Sequence, residues 1–88
     1  MKEKGLLKVF KALANKRRLA ALAYLKKKKT ATVGGVAKEI NISIKAASKH
    51  LNILYLADIV DRKQLSLEVY YKISDDNPDF INKLISIL

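Results

Sequence analysis

Two short helical patterns with a break of about three residues between them constrain the fold of this chain more than any other feature. The first pattern, which Thr30 or Thr32 can cap, stops at Asn41, and Ser43 is placed to cap the second. Two short helices joined by so tight a turn are typical of a helix-turn-helix. We therefore expect a helix-turn-helix over about residues 32–55.

Two more helices are expected before this motif. Apolar residues recur at helical spacing over residues 6–14, which predicts the first of them. Asn15 is placed to cap the second, which opens with Lys16, Arg17 and Arg18. Cations oppose the helix dipole at a helix N-terminus, so these three residues are either an exposed charged turn or part of a binding surface.

The periodicity of the chain changes from helical to extended after the helix-turn-helix. Residues 59–64 and 68–73 are rich in residues with high β propensity, which predicts a hairpin over about residues 59–73. A hairpin in this position is a wing. The connection between its strands carries Leu65 and Leu67 and lacks the glycine that is expected in a tight turn.

A last helix and the small size of the chain complete the expected fold. Pro78 opens a helix that is too apolar to be exposed, so it should pack against the first helix or against a partner subunit. The chain of 88 residues suffices for one domain, and so small a domain would gain stability from burial against a second copy. We expect a mostly α fold with a β-hairpin wing, a winged helix-turn-helix of order α-α-α-α-β-β-α, in one domain over residues 1–88.

Positive charge is concentrated in the first part of the chain. Residues 1–50 hold 14 Lys or Arg and two acids, whereas residues 51–88 hold four Lys or Arg and six acids. The formal net charge is +10. This asymmetry indicates a basic face for a polyanionic partner such as nucleic acid, and a solvated lysine-rich surface is the alternative.

The second helix of the predicted motif has two different faces. A helical wheel places apolar residues on one side and small, polar or basic residues on the other: Ile44, Ala47, Leu51, Leu54 and Tyr55 against Lys45, Ala46, Lys49 and Asn52. The second face suits a helix in the major groove of DNA, where lysine reaches phosphates or guanine and asparagine can pair with adenine. An ordinary amphipathic surface helix is the alternative.

Four stretches of sequence, taken together, match the pattern of one family. They are Leu13-Ala14-Asn15 with Arg18-Leu19, Val36-Ala37 through Ile42-Ser43, Ser48-Lys49-His50-Leu51 with Leu54, and Val69-Tyr70-Tyr71-Lys72-Ile73. In these stretches, from about Leu6 to Ser74, the chain resembles the ArsR-type winged helix-turn-helix transcriptional regulators. The resemblance implies a symmetric dimer that has the first and last helices at its interface, the fourth helix as the DNA reader and the hairpin as the wing.

The charge pattern and the resemblance together give the predicted binding residues. We expect DNA contacts from the start of the second helix, from the reading helix and from the wing: Lys16, Arg17, Arg18, Ser43, Lys45, Ala46, Ser48, Lys49, His50, Asn52, Arg62, Lys63 and Gln64. We expect the dimer interface to contain apolar residues of the first and last helices: Leu6, Val9, Phe10, Phe80, Ile81, Leu84, Ile85 and Leu88.

The chain differs from the metal-sensing members of the family it resembles. It has no cysteine, and residues 32–37 carry none of the thiolate ligands that such members have on the third helix. The acids Asp75, Asp76 and Asp79 near the last helix have no histidine among them, so neither a transition metal nor a cofactor is expected. We expect His50 to contact a phosphate or to pack between helices rather than to act as a pH switch.

The leading functional prediction is a homodimeric transcriptional regulator, a repressor that occupies an operator in double-stranded DNA. One alternative is a winged-helix protein-interaction module, for which the apolar last helix and an outward Ile53 argue; another is a non-specific architectural or RNA-binding protein that uses the basic half. No carboxylate pair, activated nucleophile or glycine-rich phosphate loop stands out, so an enzyme is not expected. No signal peptide and no apolar run of membrane-spanning length is visible, so we expect no membrane contact and a cytoplasmic location.

Overall fold

The computed structural model of the protein describes residues 3–88, so the first two residues of the domain predicted over 1–88 lie outside the described residues. The elements in chain order are α1 (Glu3–Leu13), α2 (Lys16–Lys28), β1 (Ala31–Thr32), α3 (Val33–Ile40), α4 (Ile44–Leu56), β2 (Val60–Leu65), β3 (Glu68–Ile73) and α5 (Asp79–Ser86). The predicted order of five helices and a hairpin is confirmed. The sequence patterns missed β1, a two-residue strand that the third helix follows directly.

Three helices begin at side-chain caps in positions where the sequence predicts them. The Asn15 side chain accepts hydrogen bonds of 3.0 Å from the backbone N–H groups of Arg17 and Arg18 at the start of α2. Of the two candidate threonines, Thr32 is the cap of α3 and accepts from the Gly35 N–H at 3.0 Å. Each cap satisfies a donor that the helix itself leaves unpaired, and a cap of this kind stabilises its helix by about 1 kcal/mol.

The glycine pair in α3 has a packing explanation at one position only. A Cβ atom on Gly35 would lie 3.3 Å from Thr32 Oγ1, which is tighter than an ordinary contact. A Cβ on Gly34 would lie 4.0 Å from the same oxygen and would fit without strain. A close approach therefore explains the glycine at position 35 but not the one at position 34.

The turn between α3 and α4 depends on Asn41. This residue ends α3 in the left-handed conformation at φ 58°, and its N–H donates to the Ala37 carbonyl. Asparagine tolerates this conformation better than most residues because its short polar side chain can bond locally. Ser43 then accepts from the Ala46 N–H at 3.0 Å and starts α4. The predicted helix-turn-helix is thus formed by two local signals on either side of a short turn.

The hydrophobic core lies where α1, α2, α4 and α5 meet the base of the sheet. Its fully buried side chains are mostly aliphatic: Val9, Leu22, Leu25, Val36, Leu51, Leu54, Ile59, Val60 and Ile81. Each large side chain contributes about 1.5–3 kcal/mol on burial. Ile53, which the sequence suggested to point outward, is half-buried and packs against this core.

Two expectations about helix faces are corrected by this core. Val9, Ile81 and Ile85, which were predicted for a dimer interface, are buried within the protomer and have almost no surface left for a partner. Ile44, which the helical wheel placed on the buried side of α4, is 64% exposed. It lies in the first turn, beyond the stretch of α4 over which Ala47, Leu51 and Leu54 are buried.

The wing hairpin, β2 and β3, is part of a three-stranded antiparallel sheet in the order β1-β3-β2. β1 pairs through Ala31 with Tyr71, so the edge of the hairpin next to the helices is covered. β2 and β3 pair from Val60 with Ile73 to Leu65 with Glu68, which leaves a connection of two residues rather than the three that we expected. The turn uses a non-glycine residue, Ser66, at φ 59°.

The last helix begins one residue later than the sequence indicates. Pro78 lies at the N-cap of α5 rather than in its first turn. The helix lies next to α1, where the rings of Phe10 and Phe80 are 6.4 Å apart between centroids at an interplanar angle of 59°. This tilted arrangement is a favoured geometry for aromatic pairs.

Within residues 3–88 no helix has the length and apolar character that crossing a bilayer requires.

Candidate nucleic-acid interface

α4 presents a continuous polar and basic face to solvent. Lys45, Ser48, Lys49 and Asn52 are exposed, while Ala47, Leu51 and Leu54 on the opposite side are completely buried. Among the residues that the structure describes, neither lysine of this face has a hydrogen bond or an ion pair. The face is therefore held rigidly from behind, and its two cations are available to a ligand.

The first turn of α4 contributes two smaller predicted residues. Ser43 is exposed and uses its hydroxyl oxygen to cap the helix, which leaves the hydroxyl proton free to donate to a phosphate. Ala46 is half-buried and supplies the backbone N–H of that cap. Both residues thus serve the helix start, and the first of them retains a donor for a ligand.

The three basic residues that open α2 have separate roles. Lys16 and Arg17 are exposed at the N-terminus of the helix. Arg18 is half-buried and donates through Nη2 to the Lys11 carbonyl at 3.1 Å and through Nε to the Ala12 carbonyl at 2.5 Å. These carbonyls belong to the last turn of α1, whose oxygens lack helical partners and carry the negative end of the helix dipole.

Arg18 also joins the corner between α1 and α2 to α4, since its Nη1 lies 3.2 Å from Nδ1 of His50. A guanidinium has no acceptor atom, so the imidazole must accept at Nδ1 and carry its proton on Nε2. Burial, followed by the charges of Arg18, Arg17 and Lys49, lowers the pKa of His50 below 6.5. Its surroundings therefore favour the neutral imidazole that accepts from Arg18.

These contacts change the roles that the sequence suggested for both residues. Arg18 was predicted to contact DNA phosphates, but its guanidinium is occupied by α1 and α4. His50 was predicted to pack between helices or to contact a phosphate, and the structure places it in the packing role. The pair holds the start of α2 against the middle of α4.

The wing meets the reading helix through Arg62. Its guanidinium carbon lies 4.0 Å from the ring centroid of Tyr55, and its Nη1 donates to Asn52 Oδ1 at 3.3 Å. The bond uses one lone pair of the oxygen that Asn52 would need, together with its amide N–H, to pair with both polar atoms of an adenine edge. Reading of adenine by Asn52 would therefore make Arg62 and the base share this oxygen.

The other two predicted wing residues lie on opposite faces of β2. Successive strand residues alternate between faces, and Arg62 lies opposite the buried Tyr71 while Lys63 lies opposite Tyr70. Gln64 therefore shares the face of Arg62 that adjoins α4, whereas Lys63 is on the outer face. Of the three residues predicted to contact DNA from the wing, Arg62 and Gln64 share one face of β2 and Lys63 lies on the other.

The tip of the wing is apolar and carries no cation. Residues 64–68 contain one charged side chain, that of Glu68, and Leu67 is 95% exposed. Glu68 accepts a hydrogen bond from the Tyr70 hydroxyl at 3.1 Å. An uncharged tip with a carboxylate at its base gains little from DNA phosphates. The two leucines of this connection were already unusual for an exposed tip in the sequence.

A second exposed surface is formed by the outer sides of α1 and α5 and is called here the α1/α5 surface. Four of its large apolar side chains are exposed: Leu7, Phe10, Phe80 and Ile87. Leu6, Leu84 and Leu88 are half-buried around them. The sequence patterns missed Leu7 and Ile87 as interface candidates, although their apolar character at the outer side of each helix was available as a signal.

Residues 3–88 contain no group of three or more histidine, aspartate or glutamate side chains that could hold a metal ion. The acids before and within the start of α5 have other roles. Asp75 pairs with Lys72 at 2.9 Å, and Asp79 lies in the first turn of α5, where a carboxylate suits the helix dipole.

Comparison with known proteins gives a consistent result. The family model described as "Helix-turn-helix domain" matches residues 13–63, which is more than half of the chain. Reduced HlyU from Vibrio cholerae N16961 is 27% identical to this chain, with a TM-score of 0.80 over 97% of this chain and 85% of that one. A comparison with curated protein sequences finds no match.

Two further solved structures show the same architecture. One is the homodimeric winged helix-turn-helix DNA-binding domain of a possible ArsR-family transcriptional regulator from Mycobacterium bovis; it is 26% identical, with a TM-score of 0.81 over 96% of this chain and 74% of that one. The other is NolR from Sinorhizobium fredii, which is 27% identical, with a TM-score of 0.79 over 96% of this chain and 80% of that one.

Proposed function

We propose that this chain, which belongs to the helix-turn-helix domain family in its ArsR-type winged form, is a homodimer that binds a specific DNA operator and represses transcription there. The family model that it matches is a helix-turn-helix domain, and its structural neighbours include the DNA-binding domain of a possible ArsR-family transcriptional regulator. These likenesses support DNA binding and transcription regulation. Repression, the operator and the residues that contact DNA are what we propose in addition.

The observation that carries the proposal is the free basic face of α4. Lys45 and Lys49 project from a helix whose other side is locked into the core, and Ser48 is exposed beside them. Base edges in the major groove are read by side chains that are held in a fixed position. Lys16 and Arg17 at the N-terminus of α2 are also exposed, and we assign them to backbone phosphates.

Homodimer formation is proposed through the α1/α5 surface. Phe10 and Phe80 lie against each other and are each about half exposed, and a second copy would remove both rings from water. A two-fold dimer would also present two copies of α4, which fits an operator with two inverted half-sites. The Mycobacterium bovis domain, which covers nearly all of this chain, is homodimeric.

The proposal of a dimer is tested by sedimentation of the purified chain. We expect a dimer mass for the wild type and a monomer mass for Phe80→Ser, because a serine hydroxyl replaces a ring at the centre of the surface. Leu67→Ser is the matched control, since it removes an exposed apolar side chain at the wing tip, away from this surface. A wild type that sediments as a monomer at micromolar concentration overturns the dimer.

The proposal of a specific operator is tested by selecting bound duplexes from a random library at about 150 mM salt, where non-specific binding is suppressed. We expect an inverted repeat whose half-site centres are about one helical turn apart. Binding at low salt without enrichment of any sequence would favour a non-specific architectural protein. A chain with no salt-dependent DNA affinity that forms a stable protein complex would instead be an interaction module.

Repression itself is tested with a reporter gene whose promoter overlaps the selected site. We expect lower expression in the presence of the chain, because a bound dimer excludes the polymerase. Lys49→Ala should restore expression while leaving the amount of folded protein unchanged, since its side chain is exposed. Higher expression in the presence of the wild type would assign activation instead.

A further inference from the structure

One exposed side chain on α4, that of Ile44, is apolar and so gains little from contact with water or with phosphate. Ile44 begins α4 and is 64% exposed, although its position on the helical wheel had placed it on the buried side. The other large exposed apolar side chains belong to the α1/α5 surface, to the wing tip, or, for Leu56, to the opposite end of α4. Within residues 3–88, Ile44 is thus the one large apolar group exposed at the N-terminal end of the reading helix.

The position of Ile44 relates it to the residues that we assign to DNA. Ile44 and Ser48 are four residues apart on one helix, so their Cβ atoms are neighbours on the same side. Ser48 lines a shallow groove with Tyr55, Arg62 and Gln64, between α4 and the wing. Ile44 therefore extends the flank of α4 nearest the wing toward the N-terminal end of the helix, and the N-terminal residues of a recognition helix contact base edges.

The chemistry of the major groove limits what such a side chain can recognise. Bases present hydrogen-bond donors and acceptors there, and the one apolar group is the C5-methyl of thymine. Isoleucine has no polar atom, so it can discriminate only by contact with a methyl group or by steric exclusion. A cytosine that carries a C5-methyl presents the same apolar group in the same place.

We propose that Ile44 is a specificity-determining residue that reads a pyrimidine C5-methyl group, in unmodified DNA that of thymine, at one position of each half-site. The proposal rests on the proposed function, since it needs α4 to lie in the major groove. It adds a hydrophobic reader to the lysines. It also accounts for an isoleucine that is kept exposed in the first turn of α4, where a polar residue would be more soluble.

The test uses the full-length chain and the duplex that library selection enriches, synthesised with deoxyuridine in place of one thymine at a time. Deoxyuridine lacks only the methyl group, and loss of one buried methyl is expected to weaken binding about fourfold at one thymine of each half-site. In Ile44→Ala the same replacement should change the affinity less than twofold. Lys45→Ala, the adjacent control, should bind more weakly but keep the full methyl dependence.

A second set of duplexes distinguishes the two sources of the methyl group. Cytosine and 5-methylcytosine are compared at the position identified by deoxyuridine, and the wild type should favour the methylated base by a similar factor. Equal binding of the cytosine and 5-methylcytosine duplexes would contradict the claim that Ile44 recognises the methyl group itself, and would restrict its role to thymine.

The outcomes separate this inference from the function on which it rests. An enriched duplex that binds equally well with deoxyuridine at every position overturns the role of Ile44 and leaves the operator-binding function intact. Methyl dependence that persists in Ile44→Ala likewise overturns it. Failure to enrich any duplex overturns both. Because Ile44 is exposed, its alanine variant should unfold at the same urea concentration as the wild type, which excludes misfolding as a cause.

Discussion

The reading helix and the wing carry basic side chains in different ways. On α4 the lysines project from a surface that is fixed to the core through Ala47, Leu51 and Leu54. On the wing Arg62 is turned back onto Tyr55 and Asn52 of that same helix. The contrast indicates that α4 presents charge to a ligand, whereas the arginine of the wing braces the hairpin against α4.

The difference extends to the ends of the two elements. The exposed N-terminal end of α4 is capped by Ser43 and is close in sequence to the Asn41 turn, so its position is fixed on both sides. The tip of the wing projects into solvent with Leu67 almost fully exposed and with no cation in residues 64–68. We infer that affinity and sequence preference reside mainly in α4 and that the wing contributes positioning.

The largest expected effect is on the core that fixes α4. Leu51→Ala should lower the free energy of unfolding by about 3 kcal/mol, because a fully buried leucine is replaced and a cavity remains. Leu67→Ala makes the same chemical change at the exposed wing tip and should alter stability by less than about 0.5 kcal/mol. Urea unfolding at pH 7 measures both. Similar losses of stability in the two variants would contradict the contrast between an α4 that is anchored in the core and a wing tip that is not.

The next effect concerns the corner where α1, α2 and α4 meet. Arg18→Ala removes the donors to two carbonyls of α1 and to His50, and should lower the free energy of unfolding by about 2 kcal/mol. Arg17→Ala, one residue away and exposed, should leave stability within about 0.5 kcal/mol of the wild type.

The same two variants separate structural from phosphate-contacting arginines. In DNA binding, Arg17→Ala should reduce the slope of log affinity against log salt by about 1, as expected for one lost phosphate contact. If Arg18→Ala proves as stable as the wild type and reduces the salt slope instead, the assignments of the two arginines must be exchanged.

A smaller effect distinguishes α4 from the wing in recognition. Lys49→Ala should weaken binding to the selected duplex about tenfold and alter the base preference at one position, if its ammonium group reads a guanine edge. Arg62→Ala should weaken all duplexes about equally, because the arginine positions the wing against α4 and does not read a base. Fluorescence anisotropy with the selected duplex and a scrambled one of equal length measures both. Equal losses on the two duplexes for Lys49→Ala would contradict its reading role.

The parts of this fold that were predictable from sequence are those that depend on neighbouring residues. Asn15, Thr32 and Ser43 cap the helices that follow them, since a cap needs only a side-chain oxygen and N–H groups two or three residues away. The hairpin was predictable because β propensity is high over two runs of six residues. The predicted family resemblance is confirmed by the helix-turn-helix family model that matches residues 13–63 together with the structural neighbours.

The parts that were not predictable depend on residues distant in the sequence. β1 is only two residues long and exists through its pairing with Tyr70 and Tyr71, some 40 positions later. The contact between Arg18 and His50 joins positions 32 apart. The exposure of Ile44 depends on where the neighbouring elements stop, which a helical wheel does not contain. The sequence therefore indicated the exposure of the polar face of α4 but not the partners of Arg18 and Arg62, which are set by tertiary packing.

The smallest expected effect is a pH dependence of stability that comes from the same corner. Burial, together with the positive charges of Arg18, Arg17 and Lys49, lowers the pKa of His50 in the folded state below 6.5, the value expected when the chain is unfolded. Below that pH the unfolded chain binds a proton that the folded chain resists, so the unfolded state is favoured. The contribution of His50 to stability is therefore fully present above about pH 6.5 and is lost as the pH falls through the lowered folded pKa. Thermal unfolding between pH 7.5 and 5 should show a smaller decrease in Tm for His50→Gln than for the wild type, because glutamine does not titrate in this range. An identical decrease in both would mean that Arg18 does not depend on a neutral imidazole, and that its bonds to the α1 carbonyls alone hold α2 against the reading helix.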